Sequence, residues 1–233
     1  MTKFEYRGGA KASRSKGFGG FTLAEVLITL GIIGVVAAMT LPTLINNYKK
    51  QQTIAQLKKA YSEISQVFQR AEADHETMDT WDFSAYEEGY PRTSYFAENY
   101  FLPYIKTIKI CNPSSTDCFT INVADTHIAA ITASGYSFNL WVDRTSIGGW
   151  IYVDVNGPNQ RPNELNKDIF AMKFIFRNDS IDTGHASTKK GITFEGLQYT
   201  NPMTRAELIE NNYCAALIML DGWQISRDNP CWK

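Results

Sequence analysis

Catalytic chemistry has little to draw on in this chain. Its three histidines, His75, His127 and His185, are scattered through polar or turn-like contexts and read as surface residues. No serine or cysteine sits in a nucleophile motif, and neither a P-loop nor a G-x-G-x-x-G dinucleotide fingerprint occurs. The four cysteines form no C-x-x-C pair and have no histidine close in sequence, which speaks against zinc. Basic charge is also short where a nucleic-acid partner would need it. The whole chain carries −1, and residues 1–20 hold five of its 23 basic residues against one of its 24 acidic ones, leaving −5 on the remainder. That is no electrostatic footprint for DNA or RNA. Internal repeats and low-complexity tracts are missing too, so solenoids and disordered arrays are excluded.

What the chain does have is a long apolar run. Phe21 to Ile45, FTLAEVLITLGIIGVVAAMTLPTLI, contains one ionisable group, Glu25. As a helix rising about 1.5 Å per residue it is long enough to cross a bilayer core of about 30 Å. A carboxylate inside hydrocarbon costs at least a few kcal/mol and is kept only where something pairs with it. Upstream lies a basic arm with Lys3, Arg7, Lys11, Arg14 and Lys16 against Glu5 alone, ending in Gly17, Gly19 and Gly20. A secretory signal peptide would have a shorter core, of about 7–15 residues, with its small-residue site after the core and not before it. A plain membrane anchor would have no need of Glu25.

Gly20-Phe21-Thr22-Leu23-Ala24-Glu25 followed by an apolar run resembles the processing and methylation signature of type IV pilins and type II secretion pseudopilins. The resemblance covers roughly residues 17 to 50 and implies several things. A prepilin peptidase would cut between Gly20 and Phe21, where glycine leaves the cleft uncrowded, and would N-methylate Phe21. The new Phe21 ammonium would pair with Glu25 of a neighbouring subunit, setting axial register. Gly31, Gly34 and Pro42 would let the helix melt over about residues 34–42 in the filament, since proline removes a helical N–H and glycine loosens a helix by about 1 kcal/mol. The implied partners are the peptidase, other pilin subunits and an inner-membrane assembly platform. The chain would be the peptidase's substrate and not itself an enzyme.

The implied fold is α+β and pilin-like, a long N-terminal helix packed on an antiparallel sheet of about four or five strands. Residues 1–20 are the leader, 21–45 the membrane and filament-core helix, 46–74 its amphipathic continuation and 75–233 the head. Ile54, Leu57, Tyr61, Ile64, Val67, Phe68 and Ala71 recur at three- and four-residue steps, the spacing of one buried helix face. Lys49 and Lys50 fit an interface anchor, and the basic leader keeps the N-terminus cytoplasmic. The expected location is the inner membrane, single-pass, with the head outside the cytoplasm.

Residues 75–104 are aromatic-rich, and packing beneath a long loop is the plainer reading of them. The competing function, a membrane-tethered binding module that does not polymerise, would use those rings. Ser94 to Phe101 reads as a short helix. Strands are expected at 119–123, 128–132, 136–142, 150–155 and 169–176, short β-branched or aromatic runs between turn residues. Thr204 to Leu220 reads as one helix with a Thr204–Glu207 capping box, and 223–225 as an edge strand.

Beyond the membrane the space is oxidising, and an even cysteine count supports two disulfides among Cys111, Cys118, Cys214 and Cys231. Three connectivities are possible; neighbour pairing is expected, with the second bridge pinning the tail as in many pilins. Asp154, Asn156 and Asp168 offer hard oxygens, and the segment resembles the loop that holds calcium in major pseudopilins. It departs from an EF-hand, with Gly157 at the fourth position and Leu165 where a bidentate glutamate belongs. An Asn-Gly turn bonding its own backbone explains the same residues without metal.

Overall fold

The computed structural model describes residues 20–83, 85–113, 115–121, 126–143, 148–177 and 188–232. The expected leader, apart from Gly20, and His185 therefore lie outside the described residues. The chain divides into two compact units at Asn46/Asn47.

Helix α1 runs Leu23–His75 and contributes to both units. In the first unit its apolar side chains stay open among the described residues: Leu27, Ile32, Ile33 and Val35 are all more than half exposed. Among the described residues this is the one helix long and apolar enough to cross a membrane.

The second unit is α+β. Six strands, β1 (Thr107–Cys111), β2 (Ile128–Thr132), β3 (Ser137–Val142), β4 (Gly148–Asp154), β5 (Ile169–Ile175) and β6 (Gly191–Phe194), form an antiparallel meander in chain order. Strict alternation decides its two faces. Phe138, Leu140, Ile151, Val153, Phe170, Met172, Phe174 and Phe194 share one core with Leu57, Ala60, Ile64, Val67, Phe68 and Ala71 of α1. Phe68 meets Phe174 at 5.4 Å between ring centres, and Tyr61 stacks on Phe194 at 5.2 Å.

The strand count exceeds the four or five expected. β1 and β6 flank the sheet, and β6 holds only four residues, too few for alternation to show in the sequence. Residues 119–121 are not a strand, because Phe119 packs instead in a small satellite cluster with Cys111, Cys118, Ala129 and Ile169. The remainder of that expected strand lies outside the described residues. Nor is 223–225 a strand; Trp223 is held at φ 63° and packs on Tyr61. The glycine pair opening β4 is steric in origin. A Cβ on Gly149 would meet the Trp141 carbonyl oxygen at 2.1 Å.

The large rings of the aromatic segment after α1 are core, while Tyr86 and Tyr90 are exposed. Trp81, Phe83, Phe96 and Phe101 are buried. Helix α2 (Tyr90–Phe96) passes into a π-turn over Ala97–Phe101 and a 3-10 turn at Leu102–Tyr104, so Pro103 sits inside a turn instead of beyond the helix end. The expected helix over 204–220 is two: α3 (Arg205–Glu210) and α4 (Cys214–Leu220), broken where Asn212 takes φ 58°. The capping box is present at α3, with the Glu207 N–H donating to Thr204 Oγ1 and the Thr204 N–H to Glu207 Oε2.

Phe96 is the hub of these rings, fully buried, parallel to Phe174 at 5.2 Å and touching Phe68, Phe83 and Phe176. Phe96→Ala is expected to cost about 3–5 kcal/mol. Denaturant unfolding followed by tryptophan fluorescence measures it, and a loss below about 1 kcal/mol would remove Phe96 from the core's centre.

Candidate functional site: the helix entry and the carboxylate loop

At the start of α1, Phe21 is 89% exposed and Gly20 is open. Glu25 is held by its own chain. The Thr22 N–H and Thr22 hydroxyl both donate to Glu25 Oε2 at 2.8 Å, and the Glu25 N–H returns a bond to Thr22 Oγ1 at 3.2 Å. That is a capping box, with Thr22 at the N-cap and Glu25 three residues in. It supplies two donors to a carboxylate that the membrane would otherwise leave bare. Glu25 Oε1 takes no hydrogen bond among the described residues, so a further donor has an acceptor waiting. Thr22 is the residue that the sequence analysis missed; the signal was T-x-x-E ahead of an apolar run.

Further along, the helix is unbroken through Gly31, Gly34 and Pro42. A Cβ on either glycine would meet nothing within 4 Å. Pro42 has no N–H to give the Ala38 carbonyl, so the ladder has its gap one turn before the proline.

In the second unit, Cys111 bonds to Cys118 and Cys214 to Cys231, with Cα–Cα distances of 6.0 and 6.2 Å. The second bridge ties the C-terminal tail to the first turn of α4. Arg205 does the same from α3, its guanidinium bidentate on Asp221 at 3.0 and 3.1 Å and bonded to Ser226 and Asp228. Arg205 beside Asp228 holds that carboxyl far below the usual carboxylate range. Sequence spacing carries no sign of this clamp, because its four members span a helix, a turn and the tail.

Asp154 ends β4, Asp168 precedes β5, and both are buried. N–H groups surround them. Asp168 accepts from the Asn163 and Glu164 N–H groups at 2.8 and 2.7 Å and from Asn156 Nδ2 at 3.3 Å. Asp154 Oδ1 accepts from the Asn156 and Gly157 N–H groups, and with the Asn163 amide in its better orientation Asn163 Nδ2 reaches Asp154 Oδ2 at 3.2 Å. Each donor aims a positive dipole where a cation would have to sit. The described residues hold no group of three or more His, Cys, Asp or Glu arranged for a metal. Asn156 Oδ1 is buried without a partner and is the one oxygen left over. This is an N–H cage, in which amide donors serve the carboxylate oxygens without a metal.

Of the histidines, His75 is exposed and packs edge-on to Tyr100. His127 differs from the surface reading: it is half-buried, shares a hydrogen bond with Asn139, and stacks on Trp141. Burial pushes its imidazole below the ordinary value against the opposing pull of Asn139.

Burial, then the charge of Asp168, pushes the Asp154 carboxyl up to about 7. A carboxyl raised on folding keeps its proton in the folded state while the unfolded chain has lost it. Stability should therefore fall as pH rises from about 4 to 7, and stay low above that. Asp154→Asn, which keeps the Oδ1 acceptor, is expected to flatten that slope and to gain roughly 1–3 kcal/mol at about pH 8. Thermal melts across pH check this; a variant less stable than the parent at pH above 7 would show that Asp154 works as an anion.

Compared with known proteins, the chain matches the prokaryotic N-terminal methylation motif over residues 14–41, spanning the junction, Phe21 and Glu25. That motif is the prepilin signature of type IV pilins and pseudopilins. No curated protein matches the chain. No solved structure does either. A second match covers residues 43–232, nearly all of the second unit and most of the chain. By that match the chain belongs to a family of unknown function, DUF6613.

Proposed function

We propose that this pilin- or pseudopilin-type subunit is a structural building block of a type IV pilus-like or type II secretion pseudopilus filament. It inserts in the inner membrane with its head outside the cytoplasm. Prepilin peptidase cuts it between Gly20 and Phe21 and methylates Phe21, and an assembly platform adds it to other subunits. The observation that carries this reading is the coincidence of the methylation motif with a helix whose apolar half stays exposed among the described residues. Such a surface needs lipid first and neighbouring helices later.

The Glu25 geometry gives the assembly step its chemistry. While the subunit is in the membrane, Thr22 satisfies one oxygen of Glu25. The ammonium freed on Phe21 of an incoming subunit then has Oε1 to bind, and the charge pair replaces nothing that Thr22 supplies. Melting around Gly31, Gly34 and Pro42 belongs to the packed filament, where lateral contacts compensate the lost helical bonds. The rival reading, a tethered module binding through the 75–104 aromatics, loses ground because Trp81, Phe83, Phe96 and Phe101 are core. Calcium at Asp154, Asn156 and Asp168 is the lesser reading of that loop. A melting temperature raised by Ca²⁺ and lowered by chelator, and insensitive to Ca²⁺ in Asp154→Asn, would establish it.

Co-expression with a prepilin peptidase followed by intact mass and N-terminal sequencing tests the processing. A start at N-methyl-Phe21 is expected; a cut after Ala37 or Ala38, or none, would sink the reading. Glu25→Val should still be cut and still fractionate with membranes, yet fail to enter sheared filaments. Thr22→Val should assemble at reduced yield, since Glu25 then lacks one of its two donors and is held less well in place.

A further inference from the structure

The sheet face turned away from α1 carries a second set of aromatic side chains. Register places Trp141 opposite Trp150 and Trp150 opposite Lys173, with Asn139, Tyr152 and Ala171 in the next row. The Trp150 and Tyr152 rings are 6.2 Å apart and 13° from parallel, and Lys173 Nζ lies 4.4 Å over Trp150. Trp150 is thus covered, and Tyr152 borders open space. That space is a cleft of about 200 Å³ beside β5, walled by Tyr152, Tyr213, Glu195, Asn166 and Asn212 and closed by the buried Ala216. It is smaller than the roughly 300–1,000 Å³ of drug-sized sites, and suits one small ring.

We propose that this cleft binds a pyranose ring of a neutral saccharide. A sugar ring has one face of C–H bonds, weakly positive, which complements the negative face of a tyrosine. Its rim of hydroxyls needs acceptors and amides that serve as both donor and acceptor. The cleft supplies both. The Glu195 carboxyl, half-buried and held by Tyr213, is pushed upward by burial and pulled back by that hydroxyl. Asn166 and Asn212 line the cleft, and their side chains make no hydrogen bond among the described residues.

Charge argues against the competing ligands. Glu195 repels a phosphate or carboxylate, and Lys173, within its electrostatic reach, opposes a cation. The walls are also set in advance. Asn166 and Asn212 occupy left-handed backbone positions, φ 63° and 58°, and Cys214, next to Tyr213, is bonded to Cys231. A preformed wall loses less freedom on binding. The display of this face on a fibre rests on the filament reading; binding itself does not.

The test uses the full chain in a detergent without a sugar headgroup, titrated separately with maltohexaose, chitotetraose, trimethyllysine and inorganic phosphate. Tryptophan fluorescence and ligand-observed saturation-transfer NMR report binding. Saturable binding of at least one oligosaccharide is expected, weakened about tenfold or more by Tyr152→Leu and by Glu195→Gln. Asn212→Gly, which suits the positive φ, should weaken it without altering the melt and covers the case of a misfolded Tyr152 variant. No saturable binding of either oligosaccharide, affinity untouched by the variants, or binding of trimethyllysine or phosphate in its place would overturn the assignment. Failure of cleavage or polymerisation would leave these titrations unchanged, so the two readings fail separately.

Discussion

Burial of one stripe of α1 against the inner face of the sheet is the contact on which the second unit depends. Leu57, Ala60, Ile64, Val67, Phe68 and Ala71 fall at steps of three and four and are all essentially inaccessible. Their partners alternate along β3, β4 and β5 because a strand shows every second residue to one face. Ring against ring then fixes the rest. Phe68 and Phe174 bracket Phe96, and Phe96 brings α2 and Trp81 down onto the same core. A short helix of seven residues could not hold itself; here it is held by what it covers.

The same helix carries an opposite demand at its other end. Side chains from Leu23 to Ile45 are mostly apolar and exposed, and the one carboxylate among them is bonded to the threonine three residues before it. An unpaired charge in hydrocarbon would weigh against insertion, whereas a carboxylate with two donors in place and one oxygen open tolerates the membrane and still attracts a cation. On the proposed filament reading, assembly strength and membrane residence are then set at different atoms of one residue. That separation is what the T-x-x-E spacing provides.

How much of this was legible in the sequence follows from the range of each interaction. The α1 stripe, the capping box at Thr204 and Glu207, and strands β2 to β5 could be read because their signals are local and periodic. The break in the 204–220 helix could not, since nothing at Asn211-Asn212-Tyr213 forbids helix; Asn212 takes φ 58° so that α4 can bury Leu217 and Ile218. Phe119 looked like a strand residue and is drawn into the cluster beside Cys111–Cys118 instead. Asp154 and Asp168 were visible as oxygen donors to a cation, but the N–H groups converging on them come from backbone that only the folded loop brings near. The Arg205 clamp and the cleft at Glu195 join segments far apart in the chain, and no local pattern announces them.

The division of the sheet into two faces connects these observations. Every inward residue of β3 to β5 is apolar and buried, which leaves the outward set free of any packing duty toward α1. An outward set chosen for solubility alone would favour charged and small polar residues on each strand. This one holds Trp141, Trp150 and Tyr152 half-buried in adjoining rows, stiffened by Lys173 on one ring and by His127 on another. On the proposed saccharide reading, the cleft beside Tyr152 would do the recognising, and the packed core behind it supplies the rigidity that recognition needs.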